Sequence, residues 1–179
     1  MIQLHLRKLA CVPTTVYLSL GSNLGDRAEN LNAAIGRLRA CGEVAAVSAF
    51  YETEPVEFTA QPWFLNCVVK LETEQAPRQL LAGILEIEQR LGRRRDQHKG
   101  PRSIDIDIVL FGDIVLDAPG LTIPHPAMQE RRFVLEPLAE IAPQVRHPVF
   151  QRTIRQLRDA VPTGQAVRKY GDPASGKVF

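Results

Sequence analysis

The chain has 179 residues, 45% of them hydrophobic and 23% charged, which suits one ordinary globular domain able to bury a core. Its 22 basic and 20 acidic residues leave a net charge of +2, which excludes a general nucleic-acid binder and makes local clustering of charge the informative quantity. The three cysteines are odd in number and widely spaced, with no metal or redox spacing, which points to free thiols in a reducing, cytoplasmic setting.

Residues 1–14 lack the apolar core of a signal peptide and no run reaches membrane-spanning length, so they read as a short N-terminal extension. Val16 to Leu20 alternates as a strand and runs into Gly21-Ser22-Asn23-Leu24-Gly25, a turn. That turn lacks the Gly-Lys-Ser/Thr ending of a phosphate-binding loop, and the simpler reading is a turn plus helix cap. Asp26 caps a helix to about Ala40, with Leu31, Ala34, Ile35 and Leu38 on its apolar stripe. Val44 to Thr53 reads as one strand, Glu54 to Pro62 as a loop and Phe64 to Leu71 as a third strand. Pro77 opens a helix to Leu91, with Leu80, Leu81, Ile84, Leu85, Ile87 and Leu91 as its apolar face.

A basic loop follows, holding Arg93, Arg94, Arg95, Lys99 and Arg102, and it leads straight into Ile104-Asp105-Ile106-Asp107-Ile108-Val109-Leu110. This segment alternates with period 2, so Asp105 and Asp107 share one face of a strand. Read alone, such a face could be the solvated side of a sheet. The neighbouring arginines favour a second reading. Two like charges side by side call for a cation between them, and Mg2+ with phosphate oxygens suits that role, while Arg forks suit the remaining phosphate charge. The pattern therefore points to a polyphosphate-transfer centre.

Gly112-Asp113 reads as a hairpin turn into Ile114 to Leu116, Pro126 opens a helix to about Glu136 that is interrupted near Pro137, and Thr153 to Ala160 forms a short helix. Residues 15–162 then make one domain, and residues 163–179 a loose tail. The order βαββαββα is α+β, an antiparallel sheet with helices packed on it and a ferredoxin-like βαββαβ core. Phe64 and Asn66 share a strand face, where they are either core residues or a stacking and hydrogen-bonding pair for a flat heterocycle. His125, between Pro124 and Pro126, is either structural or a phosphate contact.

In order along the chain, Tyr17–Asp26, Ser48–Val56, Gln61–Asn66, Gly100–Asp107, Leu121–Pro126 and Arg131–Leu138 resemble 6-hydroxymethyl-7,8-dihydropterin pyrophosphokinases of folate biosynthesis. The likeness runs from about Thr15 to Pro143, and Gly-Pro-Arg-x-x-Asp-x-Asp is its most specific part. The resemblance implies transfer of the β,γ-diphosphate of ATP to the pterin hydroxymethyl group, with AMP released. It implies two Mg2+ ions on Asp105 and Asp107, and a pterin held by Thr53, Val56, Phe64, Asn66 and Phe133. It further implies catalytic and ATP contacts from Arg93 and Arg102, and nucleotide contacts from Glu88, Thr122, His125 and Arg131.

Three positions depart from or strain that pattern. Lys99 stands where some relatives have Trp, the register between Arg93 and Arg95 is open, and Phe64 occupies a position where Tyr also occurs. The loops 54–62 and 93–99 are expected to close over substrate. The expected partners are small molecules acting on a monomer, with no nucleic acid or membrane. Two other classes fit the acid pair less completely. A palm-like nucleotidyl transferase or cyclase would release pyrophosphate, and a metabolite-binding regulatory module would show no turnover.

Overall fold

The computed structural model describes residues 12–55, 61–93 and 100–173. Its elements are β1 (Thr14–Ser22), α1 (Arg27–Leu38), β2 (Glu43–Val47), β3 (Phe50–Thr53), β4 (Phe64–Thr73), α2 (Pro77–Arg90), β5 (Asp105–Phe111), β6 (Leu116–Ala118), β7 (Leu121–Ile123), a 3-10 turn (Met128–Glu130), α3 (Arg132–Ile141), α4 (Ile154–Ala160) and β8 (Val167–Gly171). The main sheet runs β5-β1-β4-β3-β8, with β2 also paired to β4, and every pairing is antiparallel. With β2 and β3 counted as one interrupted strand, the strands β5, β1, β4 and β2/β3 form the ferredoxin-like core expected from the sequence.

Both faces of the sheet are covered. Val16, Leu18 and Leu20 of β1, with Cys67, Val69 and Leu71 of β4, pack against α1 and α2. Tyr17 and Val68 face the other way, against α3 and α4. The helix signals act as read. The Asp26 carboxylate accepts from Glu29 N at 3.0 Å, and Leu31, Ala34, Ile35 and Leu38 are buried. Pro77 opens α2.

Several boundaries differ from the sequence reading. The strand expected over Val44 to Thr53 breaks at Ser48-Ala49. There the Ser48 hydroxyl accepts from Val68 N at 2.9 Å, and Ala49 N donates to the Glu140 carboxylate at 2.9 Å, so side chains replace the ladder. The Gly112-Asp113 turn forms, with Ile114 N donating to Phe111 O at 3.0 Å, but the following strand leaves the main sheet and pairs β6 with β7. Pro126 opens only a 3-10 turn, and α3 begins at Arg132 and runs through Pro137 to Ile141. Residues 167–171, expected in a loose tail, form β8 and cover the edge of β3, satisfying donors and acceptors that an open edge would leave bare.

One irregularity changes which side chains point where. Tyr17 pairs with Leu110 and Leu18 with Ile108, so Val109 is an extra residue in β5. The bulge flips the alternation. Val109 and Leu110 both join the α3/α4 core, and Phe111 joins the α1/α2 core. Strict alternation would have put Leu110 with the isoleucines.

Close approach of α1's exit to β4 demands Gly42. A Cβ there would lie 2.3 Å from the backbone oxygen of Glu72. Gly42→Ala is expected to lower stability by about 1–3 kcal/mol, the usual cost of overpacking against backbone. Thermal unfolding checks this, and an unchanged midpoint would contradict the packing.

Candidate active site

On the sheet face that carries α3 and α4, the helices cover only one end. The other end is an open cleft, whose floor comes from three neighbouring strands. Register explains the convergence: Gly21 of β1 lies opposite both Asp105 of β5 and Asn66 of β4, and Ser19 lies opposite Asp107. Gly21 is small for a reason, because a Cβ there would sit 2.6 Å from Asn66 Oδ1. The cleft is lined on one side by Asp105, Asp107, Arg102 and Arg131, and on the other by Thr53, Phe64, Asn66 and Phe133.

On the charged side, Asp105 is held by two guanidinium groups. Arg93 Nη1 lies 2.7 Å from Oδ1 and Arg102 Nε 3.0 Å from Oδ2. Arg93 also pairs closely with Glu88, which is 2% exposed and accepts from Ile106 N at 2.8 Å. Glu88 does not line the cleft. It braces Arg93 and the β5 backbone from behind, and burial pushes its carboxyl above the usual range. Asp107 is pushed up to about 6, chiefly by burial and then by Asp105, against the pull of Arg131.

The aromatic side is built by hydrogen bonds. Asn66 Nδ2 donates to Thr53 Oγ1 at 2.6 Å, which orients the amide and leaves Oδ1 on the Gly21 side. The Arg102 guanidinium lies 5.5 Å from the Phe64 ring centroid and that of Arg131 5.7 Å from Phe133, so the two sides of the cleft touch through cation–π pairs.

His125 sits beside the cleft. Its Nδ1 accepts from Ala127 N at 3.2 Å, which assigns the ring hydrogen of the neutral form to Nε2, 3.5 Å from Arg131 Nη1. Burial, then Arg131, holds its pKa down to about 4. The bulge places it, since His125 N donates to the Val109 carbonyl at 3.0 Å. Thr122 is exposed on β7, bonds Asp117 at 3.2 Å and is not part of the cleft. Val56, Arg94, Arg95 and Lys99 lie outside the described residues, as do parts of both loops expected to close. Of the three consecutive arginines at 93–95, Arg93 is the described one, and it reaches Asp105.

Asn23 was hidden in the sequence as a turn residue. It is 2% exposed and ties three segments together. Its Oδ1 accepts from Arg102 N at 2.8 Å, and its Nδ2 donates to Gln61 Oε1 at 3.1 Å and Pro62 O at 3.2 Å. The Gly21–Gly25 turn is therefore a clasp for Arg102 and the entry to β4. Arg27 adds a second tie, donating to Trp63 O at 2.9 Å and Glu52 Oε1 at 2.8 Å. The sequence held only a weak signal for both: polar side chains in and just after a turn between a strand and a helix.

The donor set suits Mg2+. Two carboxylates with hard oxygens line one cleft, and burial beside Asp105 disfavours the Asp107 anion, which a bound cation would relieve. Among the described residues no third acid or histidine completes a metal cage. Mg2+ is commonly held by one or two carboxylates with substrate phosphates and water supplying the rest.

Residues 17–143 match the family model for 7,8-dihydro-6-hydroxymethylpterin-pyrophosphokinase, HPPK. The chain belongs to this family. The 2-amino-4-hydroxy-6-hydroxymethyldihydropteridine pyrophosphokinase of Aquifex aeolicus is 40% identical over 144 residues, 80% of this chain and 90% of that protein. The protein of that name in Bacillus subtilis is 46% identical over 131 residues, 72% of this chain and 78% of that one. The folic acid synthesis protein fol1 of Schizosaccharomyces pombe is 43% identical over 165 residues, 91% of this chain but 22% of that protein. A crystal structure of wild-type Plasmodium falciparum HPPK-DHPS superposes with a TM-score of 0.67 at 18% identity, over 82% of this chain and 44% of that one, which supports the fold. Family membership gives the matched HPPK domain its reaction, pyrophosphoryl transfer from ATP to hydroxymethyldihydropterin in folate synthesis.

The His125 environment predicts a pH effect. Between about pH 6.5 and 4 the unfolded state takes up a proton that the folded ring refuses, so stability falls as pH drops through that window. His125→Gln should flatten the fall by on the order of 1–2 kcal/mol after allowance for solvent screening. His147, also held down by burial, contributes to the slope that remains. Urea unfolding at several pH values measures this, and an identical slope in the variant would contradict the assignment.

Proposed function

We propose that this chain transfers the β,γ-diphosphate of ATP to the hydroxyl of 6-hydroxymethyldihydropterin, with Asp105 and Asp107 holding two Mg2+ ions. The observation that carries the reading is one sheet face that presents the Asp105–Asp107 pair with Arg93, Arg102 and Arg131 on one side and Phe64, Asn66 and Phe133 on the other. Bound Mg2+ would supply charge stabilisation on the phosphate oxygens and a template for in-line approach.

The residues then divide the work. Phe64 and Phe133 stack the flat pterin, and the Asn66 amide, fixed by Thr53, reads its heteroatoms, with Val56 meeting the pterin through its backbone. Arg93 and Arg102, which pair with Asp105, turn to the phosphates when ATP arrives. Arg131 and the Nε2–H of neutral His125 contact the nucleotide phosphates from the far side. Glu88 acts through Arg93, and Thr122 extends the nucleotide contacts along β7. The pterin oxygen bonds to the β-phosphorus, the bond from that phosphorus to the bridge oxygen breaks, and AMP leaves with the bridge oxygen. The hydroxyl proton leaves to solvent, and no side chain is assigned as base. The arginines offset charge that develops on the departing AMP.

We infer further that the substrates are small molecules and that the chain acts as a cytoplasmic monomer. The cleft is built from one chain, Cys41 and Cys67 are free thiols, and among the described residues no helix is long and apolar enough to cross a membrane.

AMP release in the presence of ATP, Mg2+ and the pterin tests the proposal. Omission of the pterin or chelation of divalent metal should stop it. Asp105→Ala and Asp107→Ala should each slow it by about a hundredfold or more, as loss of charge stabilisation at a phosphoryl centre does. Near wild-type rates in either variant would overturn the metal assignment. Gly21→Ala, whose methyl group would displace the Asn66 amide, should raise the pterin KM while the ATP KM stays constant. A raised ATP KM alone would contradict the placement of the pterin.

A further inference from the structure

The family segment ends at residue 143, and β8 lies beyond it. β8 is nevertheless fastened to the cleft's aromatic side at several points. Val167 pairs with Thr53 and Arg168 with Glu52, and past the end of β3 Glu54 N donates to Ala166 O at 3.2 Å. The Arg168 guanidinium lies 5.3 Å from the centroid of the Trp63 ring, one residue before Phe64. On the opposite side Lys169 Nζ lies 3.0 Å from Glu140 Oε1, while Glu140 Oε2 accepts from Ala49 N at the break between β2 and β3. β8 therefore bridges the two backbone segments that carry the wall: Thr53–Glu54, where the Thr53 hydroxyl orients Asn66, and Trp63–Phe64.

We propose that β8 is a positioning strand for the pterin wall and that Arg168 is its positioning residue. The proposal rests on the reading of Phe64 and Asn66 as the pterin side of the cleft. Arg168 does not touch the cleft, so it acts through the Trp63 ring and through its register partner Glu52, the residue before Thr53. Its effect should fall on one substrate only, because the Asp105 side of the cleft, on β5, is separated from β8 by β1, β4 and β3. An edge strand that merely stabilised the sheet would move both substrates together or neither.

Steady-state kinetics of the full chain test this. Arg168→Ala should raise the pterin KM about two- to fivefold, as loss of an exposed cation–π pair does. Arg168→Glu, which sets a carboxylate opposite Glu52, should raise it about tenfold. Arg168→Lys should stay within about twofold of wild type, since an ammonium keeps the cation over the ring. In all three the ATP KM and kcat should remain within about twofold and the thermal midpoint near wild type, as is usual for surface substitutions. Trp63 is the chain's only tryptophan, so emission from the unliganded Ala and Glu variants should change as well. An unmoved pterin KM in both variants, or an ATP KM that rises by the same factor, would overturn the proposal. A wild-type chain that forms no AMP would instead overturn the reading of the cleft, and this inference with it.

Discussion

Asp105 is held by Arg93 at 2.7 Å and by Arg102 at 3.0 Å, and the site is organised around that double ion pair. Three acids, Glu88, Asp105 and Asp107, come together at one end of the sheet, two of them on a single strand. Such a cluster is costly to bury without matching positive charge. Arg93, Arg102 and Arg131 supply that match. Arg93 bridges Glu88 and Asp105, Arg102 closes on the second oxygen of Asp105, and Arg131 faces Asp107 and His125. Nucleotide phosphates bring negative charge and their metal brings positive charge, so binding can exchange partners without changing the balance. On the proposed function, the arginines would turn from carboxylate to phosphate, and Asp105 and Asp107 would be left to hold the metal.

Much of the remaining structure keeps those groups in place. Asn23 holds the backbone of Arg102 and the approach to β4. The bulge at Val109 frees a carbonyl that fixes His125 beside Arg131. Gly21 keeps the floor low enough for the Asn66 amide, which Thr53 turns. Apart from Gly21, which acts by leaving space, each of these is a hydrogen bond between separate segments of the chain. The floor of the cleft comes from β1, β4 and β5, while Arg102 enters from the segment before β5 and Arg131 and Phe133 from the start of α3.

The strand that carries Asp105 and Asp107 was legible in the sequence because period-2 alternation survives up to Ile108. It stopped being legible at Val109, since a bulge leaves no mark in an unbroken apolar run. The caps at Asp26 and Pro77 were readable because their chemistry is local. The break at Ser48-Ala49 was not, because it depends on Glu140, ninety-one residues away from Ala49. Asn23 and Arg27 were missed for the same reason: their partners lie across the fold. β8 was hidden by polar, glycine-bearing composition that resembles a tail, and it becomes a strand only because β3 offers an edge. Phe64, Asn66 and Phe133 gained a substrate from family likeness, and the structure then placed all three on the same cleft as the acids.

The partner exchange at Asp105 is tested most directly by ATP binding without divalent metal. Titration calorimetry of wild type and Asp105→Asn in the presence of a chelator would compare the two. The account predicts tighter metal-free ATP binding in the variant, because Arg93 and Arg102 are released to the phosphates, together with collapse of AMP formation when Mg2+ and pterin are supplied. Weaker or unchanged metal-free binding in the variant would show that Asp105 does not restrain those arginines, and would contradict the account.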